Sequence, residues 1–376
     1  MKKKLLWLAV LGCCSASMLQ AQQDPQYTHF TYNKLLYNPA YAGASDQFCL
    51  NAVHRQQYMG FEDQTAYLRT QKGDPIKTDI PSYAKSIGPK TTGLAFSAPL
   101  GIKVKGQRLN IGGVYGSFIQ DRIAYETSTF IRGGVAGAFT LADGSSIRAG
   151  FEATYLTKGL NPEGFRYHDP NDPNIPTQNT SDQKTTFGAG VYYQNPNVLN
   201  GLWGGISLTH LVPQTFTYGN PATIKVSTVR HLYIIGGVKM DQFLGNPLLT
   251  LEPSFMIKSA QGENGGFVKP ELDLQGMVTY NDLFAGGINF RSYALGTTDL
   301  GFMLGYYPPI AGNGGPNSRS RLRVGYCYDL PINNLIRANY GSHELQLNYC
   351  FTFELPSRPP RIYRHPRYMN RIPSND

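Results

Sequence analysis

Between Thr129 and Lys158 oily and polar positions take turns. Ile131, Val135, Phe139 and Leu141 stand on one side of the alternation, and Arg132, Gly134, Ala136, Ala138 and Thr140 on the other, the period of two that marks a β-strand. After Asp143-Gly144, a tight-turn dipeptide, the pattern resumes with Ile147, Ala149, Phe151, Ala153 and Tyr155 against Arg148, Gly150, Glu152, Thr154 and Lys158. Repeated down the chain, it predicts fourteen strands: 48–56, 91–99, 107–119, 128–141, 145–158, 185–195, 201–211, 229–241, 247–259, 268–281, 283–292, 298–308, 319–330 and 342–353. A tilted strand crosses a bilayer in about 9–11 residues, and single-chain bacterial barrels use even strand numbers. The fold predicted is all-β, a transmembrane antiparallel up-and-down β-barrel of the outer-membrane type over residues 48–355.

The polar phase then defines a lumen. Arg148, Glu152, Lys239, Glu252, Glu271, Asp273, Arg291, Arg321, Arg323, Asp329 and Glu344 all fall opposite the apolar face, where none meets lipid; a Lys or Arg facing mid-bilayer would cost about 2–4 kcal/mol. Mixed signs predict a cross-braced or plugged interior, because facing opposite charges neutralise one another. In the final strand Leu345, Leu347, Tyr349, Phe351 and Phe353 alternate with Glu344, Gln346, Asn348, Cys350 and Thr352, as suits a strand that must close on the first because no open edge survives in hydrocarbon. Connections at Asp143-Gly144, Gly245-Asn246-Pro247 and Asn281-Asp282 are tight. Those at 159–184, 212–228, 260–267 and 309–318 are longer and are read as extracellular loops, the expected partner surface.

Composition agrees with alternation: among 376 residues, 41% are hydrophobic and only 16% charged, with Tyr 25, Phe 19 and Gly 41. The body has no apolar run of the ~18 residues a spanning helix needs. Residues 1–21 run from Lys2-Lys3-Lys4 through Leu5–Leu11 to small residues ending at Ala21, the order of a secretory signal peptide. Val10-Leu11-Gly12-Cys13 also has the look of a lipoprotein box, so lipidation at Cys13 is a second reading of the same leader. Removing the three lysines takes the formal charge from +9 to +6, and Arg358, Arg361, Arg364, Arg367 and Arg371 against Asp376 place +4 of that in a Pro-rich tail, 356–376. The barrel itself is near neutral, so the basic pI implies no nucleic acid partner.

Cleavage leaves Cys49, Cys327 and Cys350. An odd count without CxxC spacing argues against a disulfide scaffold or zinc site. Cys327 and Cys350 share the lumen phase of successive strands, where a bridge is geometrically open, yet two unpaired thiols are expected. The seven histidines, His29, His54, His168, His210, His231, His343 and His365, show no paired ligand spacing. Asp169-Pro170-Asn171-Asp172-Pro173-Asn174 offers oxygens for Ca²⁺ but lacks an ordered calcium-loop spacing, and a Pro-restricted turn is the plainer account. No metal or cofactor is expected. No GxSxG, HExxH, GxxxxGK or Rossmann fingerprint occurs.

The first mature segment, 22–47, carries Tyr27, Phe30, Tyr32, Leu35 and Tyr37 without clean period. Such aromatics are costly to leave in water, so the segment is expected to pack into or beneath the barrel as a plug or brace. Here the chain resembles a known family. Gln26 and Tyr27 in the aromatic run, followed by Asn38-Pro39-Ala40-Tyr41-Ala42-Gly43, are similar to the N-terminal signature of the PorP/SprF family of the type IX secretion system. Arg55-Gln56-Gln57-Tyr58 resembles that family's Arg-Gln-Gln-aromatic element, and Ser342-His343-Glu344 its opening of the last strand. The resemblance runs from Gln23 to about Phe353; the stretch from Gly60 to Lys90 and the Arg-rich tail match no family element.

What the resemblance implies is a non-enzymatic outer-membrane component of type IX secretion and gliding. Its expected partners are a secreted substrate or adhesin with a C-terminal secretion domain, periplasmic type IX or peptidoglycan-associated subunits, and outer-membrane lipid. The tail has two readings: a solvated extension, or five guanidinium groups offered to an acidic partner. Two rivals come from other classes. A diffusion or uptake porin shares the alternation but conducts ions. A lipid-modifying barrel enzyme needs a nucleophile, base and orienting group; Ser342-His343-Glu344 supplies the types, but adjacent strand residues point to opposite faces.

Overall fold

The computed structural model describes residues 24–60, 88–104, 107–162, 176–219, 224–262, 265–293, 298–308, 321–332, 336 and 339–352. Its strands are β1 (Phe48–Gln56), β2 (Lys90–Val104), β3 (Gln107–Ile123), β4 (Glu126–Thr140), β5 (Ser146–Leu160), β6 (Thr180–Asn195), β7 (Leu202–Thr209), β8 (Thr215–Tyr218), β9 (Ile224–Ser227), β10 (His231–Val238), β11 (Met240–Asp241), β12 (Leu249–Ala260), β13 (Glu271–Tyr280), β14 (Phe284–Ser292), β15 (Thr298–Tyr306), β16 (Arg321–Pro331) and β17 (Ser342–Phe351). Fourteen of them form a closed antiparallel barrel: β1 to β7, β10 with its two-residue continuation β11, and β12 to β17. Each pairs with its sequence neighbour, and β17 returns to β1 with Arg55 opposite Glu344 and Cys49 opposite Cys350. Every predicted strand is present.

Closure follows from the alternation. Leu94, Ile131, Val135, Phe139, Ile206, Ile288, Leu304 and Leu345 face outward and are exposed, while Arg55, Arg132, Arg148, Glu152, Asp273, Arg291, Asp329 and Glu344 are buried inside. This inverts a soluble protein, and the solvent it fits is lipid. Among the described residues no helix is long and apolar enough to cross a membrane. The wall is uneven: β2 to β6 have 15 to 17 residues and the other barrel strands 8 to 12. At about 3.3 Å per residue, the longer strands stand well beyond a hydrocarbon core of about 30 Å.

Strand direction assigns each connection to an end. The turns after β4, β6, β11 and β13 share one end with the start of β1 and the finish of β17; the connections after β1, β5, β7, β12, β14 and β16 lie at the other. Two connections break the short-and-long rule. Ala124-Tyr125 is a tight turn at the long-loop end, with Ala124 at φ 50°, and the connection from β15 to β16 that contains 309–318 belongs to the turn end, not to the extracellular set in which its length placed it. Residues 309–318 themselves fall outside the described residues, as do 61–87, Asp169–Asn174, residues 1–23 and the Arg tail. The stretch 212–228 is not plain loop: it contains the hairpin β8–β9. Phe216 and Tyr218 of that hairpin are buried together with Phe130, Leu156 and Leu160, and Tyr218 Oη donates to Glu126 Oε2 at 2.7 Å. Since Leu156 and Leu160 share the inward phase of Arg148, the hairpin folds inward over the long-loop mouth.

A disulfide joins Cys49 to Cys350, which corrects the expectation of unpaired thiols. The seam register places the two residues directly opposite with Cα atoms 4.1 Å apart, near the spacing of a non-hydrogen-bonded antiparallel pair. Among the described residues Cys327 is the free thiol, and it is buried. The partner of Cys350 is on the first strand, 301 residues earlier, not on the strand before it.

Candidate functional site: the filled lumen and its turn-end vestibule

The N-terminal segment lies inside the ring of strands. Non-periodic in sequence, it has no solvent face to alternate with: Tyr27, Thr28, His29, Phe30, Asn33, Leu35, Leu36, Tyr37, Asn38, Ala40 and Ala42 are all buried. It begins near the long-loop mouth, where Asp24 Oδ1 accepts from His210 Nε2 at 2.9 Å, makes one helical turn at Lys34–Tyr37 and a 3₁₀ turn at Pro39–Tyr41, and leaves at the turn end into β1.

A buried charge cluster fastens its first part. Glu344 accepts from the backbone N–H of Thr28 at 2.7 Å and of His29 at 2.8 Å, and lies 3.1 Å from Arg55 Nη1. Arg55 Nη2 lies 2.7 Å from Asp329 Oδ2, which also accepts from Thr28 Oγ1 at 2.6 Å. His29 Nδ1 is 3.1 Å from Glu344 Oε1. Segment, first strand and last two strands thus share one network, satisfying charges that a dry interior would otherwise penalise.

Three further arginines hold the segment's own backbone. Arg291 Nη2 donates to the Tyr27 carbonyl at 3.1 Å, Arg132 Nη1 to that of Leu36 at 2.7 Å and Arg148 Nη2 to that of Ala42 at 2.7 Å. These are the donors that an irregular buried backbone requires. Asn38 caps the 3₁₀ turn by accepting from Ala40 N–H at 2.9 Å and donates to the Val191 carbonyl at 3.0 Å. The following stretch lies flat on glycine: a Cβ at Gly150 would come 2.4 Å from Ala40 N, and one at Gly113 2.5 Å from the Ala42 carbonyl carbon. Gly43 has φ +70° and donates its N–H to Ser97 Oγ at 2.9 Å, a backbone conformation only glycine takes without strain.

The signature residues therefore meet in part. Gln26 donates to Glu271 Oε2 at 3.2 Å; Tyr27, Asn38, Pro39, Ala40, Ala42 and Gly43 line the inner wall, and half-buried Tyr41 stacks edge-on to Tyr192. Arg55 and Glu344 join the central network. Gln56 and Gln57 stand at the rim, the latter's N–H donating to the Pro89 carbonyl at 2.8 Å. Ser342 Oγ accepts from Tyr58 N–H at 3.1 Å on the inner face, while His343 turns outward to Tyr326 Oη at 2.6 Å, so Ser342, His343 and Glu344 do not converge. The tail arginines Arg358, Arg361, Arg364, Arg367 and Arg371 lie outside the described residues.

Below the segment the lumen opens. Two adjoining cavities of about 500 and 490 Å³ share Tyr32, Lys239, Glu252 and Arg323 and lie among turn-end residues such as Gly144, Asn200 and Asn281. Lys34 Nζ sits 3.5 Å from the centroid of the Trp203 ring, and the Arg323 guanidinium lies over Tyr32 and Tyr307 at 5.6 and 5.5 Å, cation–π contacts in a concave polar pocket. Sequence reasoning looked for partners at the long loops and missed this vestibule. The signal was there: Lys239, Glu252, Arg321 and Arg323 lie on the lumen phase near turn-end strand termini. Sequence spacing also missed that His210 and His231 face each other beside Asp24.

The family model described as type IX secretion system membrane protein PorP/SprF matches residues 19–349. No curated protein matches the chain. Among solved structures, the CymD monoaromatic hydrocarbon channel is similar at 9% identity and TM-score 0.47, over 86% of this chain and 93% of that one. A FadL homologue of Pseudomonas aeruginosa is similar at 8% identity and TM-score 0.45, over 86% and 94%. The translocator domain of the autotransporter NalP from Neisseria meningitidis is similar at 9% identity and TM-score 0.38, over 82% and 88%.

Proposed function

The chain belongs to the type IX secretion system membrane protein PorP/SprF family, and from that premise we propose that it is a closed, non-enzymatic outer-membrane barrel that docks other proteins for secretion or surface anchoring. The observation that carries this reading is the N-terminal segment held across the lumen by Arg55, Glu344, Asp329 and the three carbonyl-bound arginines. A steadily conducting diffusion pore needs an open, water-filled interior, and this one is filled and braced at these points. The turn-end vestibule, with aromatic walls and charges of both signs, is the surface we assign to a periplasmic partner segment. The mouth beneath the β8–β9 hairpin faces the cell exterior, where the secreted substrate or adhesin is held.

Affinity purification from solubilised outer membranes, with mass spectrometry of what accompanies the protein, tests the reading. Type IX subunits or a surface protein bearing a C-terminal secretion domain are expected, and Trp203→Ala combined with Arg323→Ala is expected to lose the periplasmic subset. Recovery of general barrel-assembly factors alone would defeat the assignment.

A further inference from the structure

At the long-loop end, three potential ligands converge from separate parts of the chain. Asp24 starts the N-terminal segment, His210 follows β7, and His231 opens β10. One ligand atom from each lies within 4.8 Å of the others. The histidine rings are 5.7 Å apart, both residues are buried, and Asp24 is 8% exposed at its side chain.

The group is not satisfied as it stands. His210 Nε2 donates to Asp24 Oδ1 at 2.9 Å, but His210 Nδ1 and both ring nitrogens of His231 are buried with no hydrogen-bond partner. Buried polar atoms are ordinarily paired, and a histidine such as His231 with neither nitrogen engaged at 5% exposure is unusual. Two small voids flank Asp24. One, of about 20 Å³, is lined by Asp24 and His210; the other, of about 10 Å³, by Asp24 and His231. The larger is about the size that holds one water.

The geometry points to a site for one divalent transition-metal ion of the zinc class, held by the Asp24 carboxylate, His210 and His231 with water as fourth ligand. Two imidazoles and a carboxylate are the donors such an ion prefers, whereas Ca²⁺ and Mg²⁺ demand more oxygen ligands. A tetrahedral zinc with bonds of 2.0–2.2 Å sets its ligand atoms about 3.3 Å apart, so side-chain rotation of about 1 Å closes the set around the ion. The remaining Asp24 oxygen keeps its neighbours: Arg132 Nη2 at 3.5 Å, and Thr209 Oγ1 and Tyr233 Oη at 3.4 Å each. Such surrounding contacts orient a ligating carboxylate. The ion staples the start of the N-terminal segment to the β7–β10 wall beneath the hairpin. The site requires nothing of the barrel's partners.

The test uses the full mature chain in detergent, free of any purification tag and stripped with chelator. Titration with ZnCl₂ is expected to show one equivalent bound and a raised thermal midpoint, with CaCl₂ producing neither. CoCl₂ is expected to give the intense visible bands of a tetrahedral nitrogen–oxygen site. Asp24→Asn and His231→Gln are each expected to weaken zinc binding at least about tenfold, the loss that follows removal of even a supporting group, with the metal-free midpoint within a few degrees of wild type. Absence of stoichiometric zinc and cobalt binding by the wild-type chain would overturn the proposal. So would undiminished binding by an Asp24→Asn/His231→Gln double variant, which needs only to retain the wild-type metal-free midpoint to be decisive.

Discussion

At the scale of single residues, Arg55 decides most. It is 1% exposed and faces two carboxylates, Asp329 and Glu344, both as deeply buried. Removing one partner of a buried cluster strands the others without compensation, at about 3–5 kcal/mol. Arg55→Ala is therefore expected to lower stability in detergent by about that amount, read by denaturant unfolding; an unchanged midpoint would mean the network contributes nothing. Gly150 gives a second residue-scale test, because its missing side chain leaves room for Ala40. Gly150→Val is expected to lift the segment off the wall and expose Lys34 to trypsin while β4, β5 and β6 stay paired; resistance equal to wild type would contradict the packing described. The role of Arg55 was half legible in sequence. Its motif was read but its inward phase was not, and nothing in the motif reveals that it reaches Glu344, 289 positions away.

Strands were the most legible elements, because lipid outside and polar neighbours inside impose opposite demands on successive residues. Most ranges moved only at their ends, and one strand is interrupted. The strand expected at 185–195 begins at Thr180, and the one expected at 229–241 breaks at Lys239 into β10 and β11. What alternation cannot carry is anything that depends on packing around the ring. The N-terminal segment has no period because it is enclosed on all sides, the β8–β9 hairpin is too short to stand out from a loop, and His210 and His231 meet only through the register that pairs Thr209 with His231. The seam disulfide was hidden for the same reason, since β1 and β17 become neighbours only on closure. Cross-linking a loop of 301 residues restricts the unfolded chain strongly, by about 6 kcal/mol in the chain-entropy account. Cys49→Ser is accordingly expected to lower the thermal midpoint and to abolish the gel-mobility shift between reduced and non-reduced, heat-denatured wild-type protein. Identical mobilities for the wild type would show that the seam is not cross-linked.

At the scale of the whole molecule, the mixed charge of the lumen has a plain meaning. Above the vestibule, positive side chains bind backbone carbonyls of the segment that fills the lumen, its Asp24 carboxylate and carboxylates of the wall, so these charges are structural partners of the chain itself. The tall wall of β2 to β6 supports the inward hairpin at one mouth, and the vestibule stays open at the other. On the proposed reading the vestibule is a docking surface and the segment shuts the passage above it. Ionic conductance of the purified mature chain in a planar bilayer tests that claim most directly. A closed barrel predicts insertion with no steady open-channel current, and brief openings at most in Gly150→Val; large, sustained single-channel currents from the wild-type protein would contradict it.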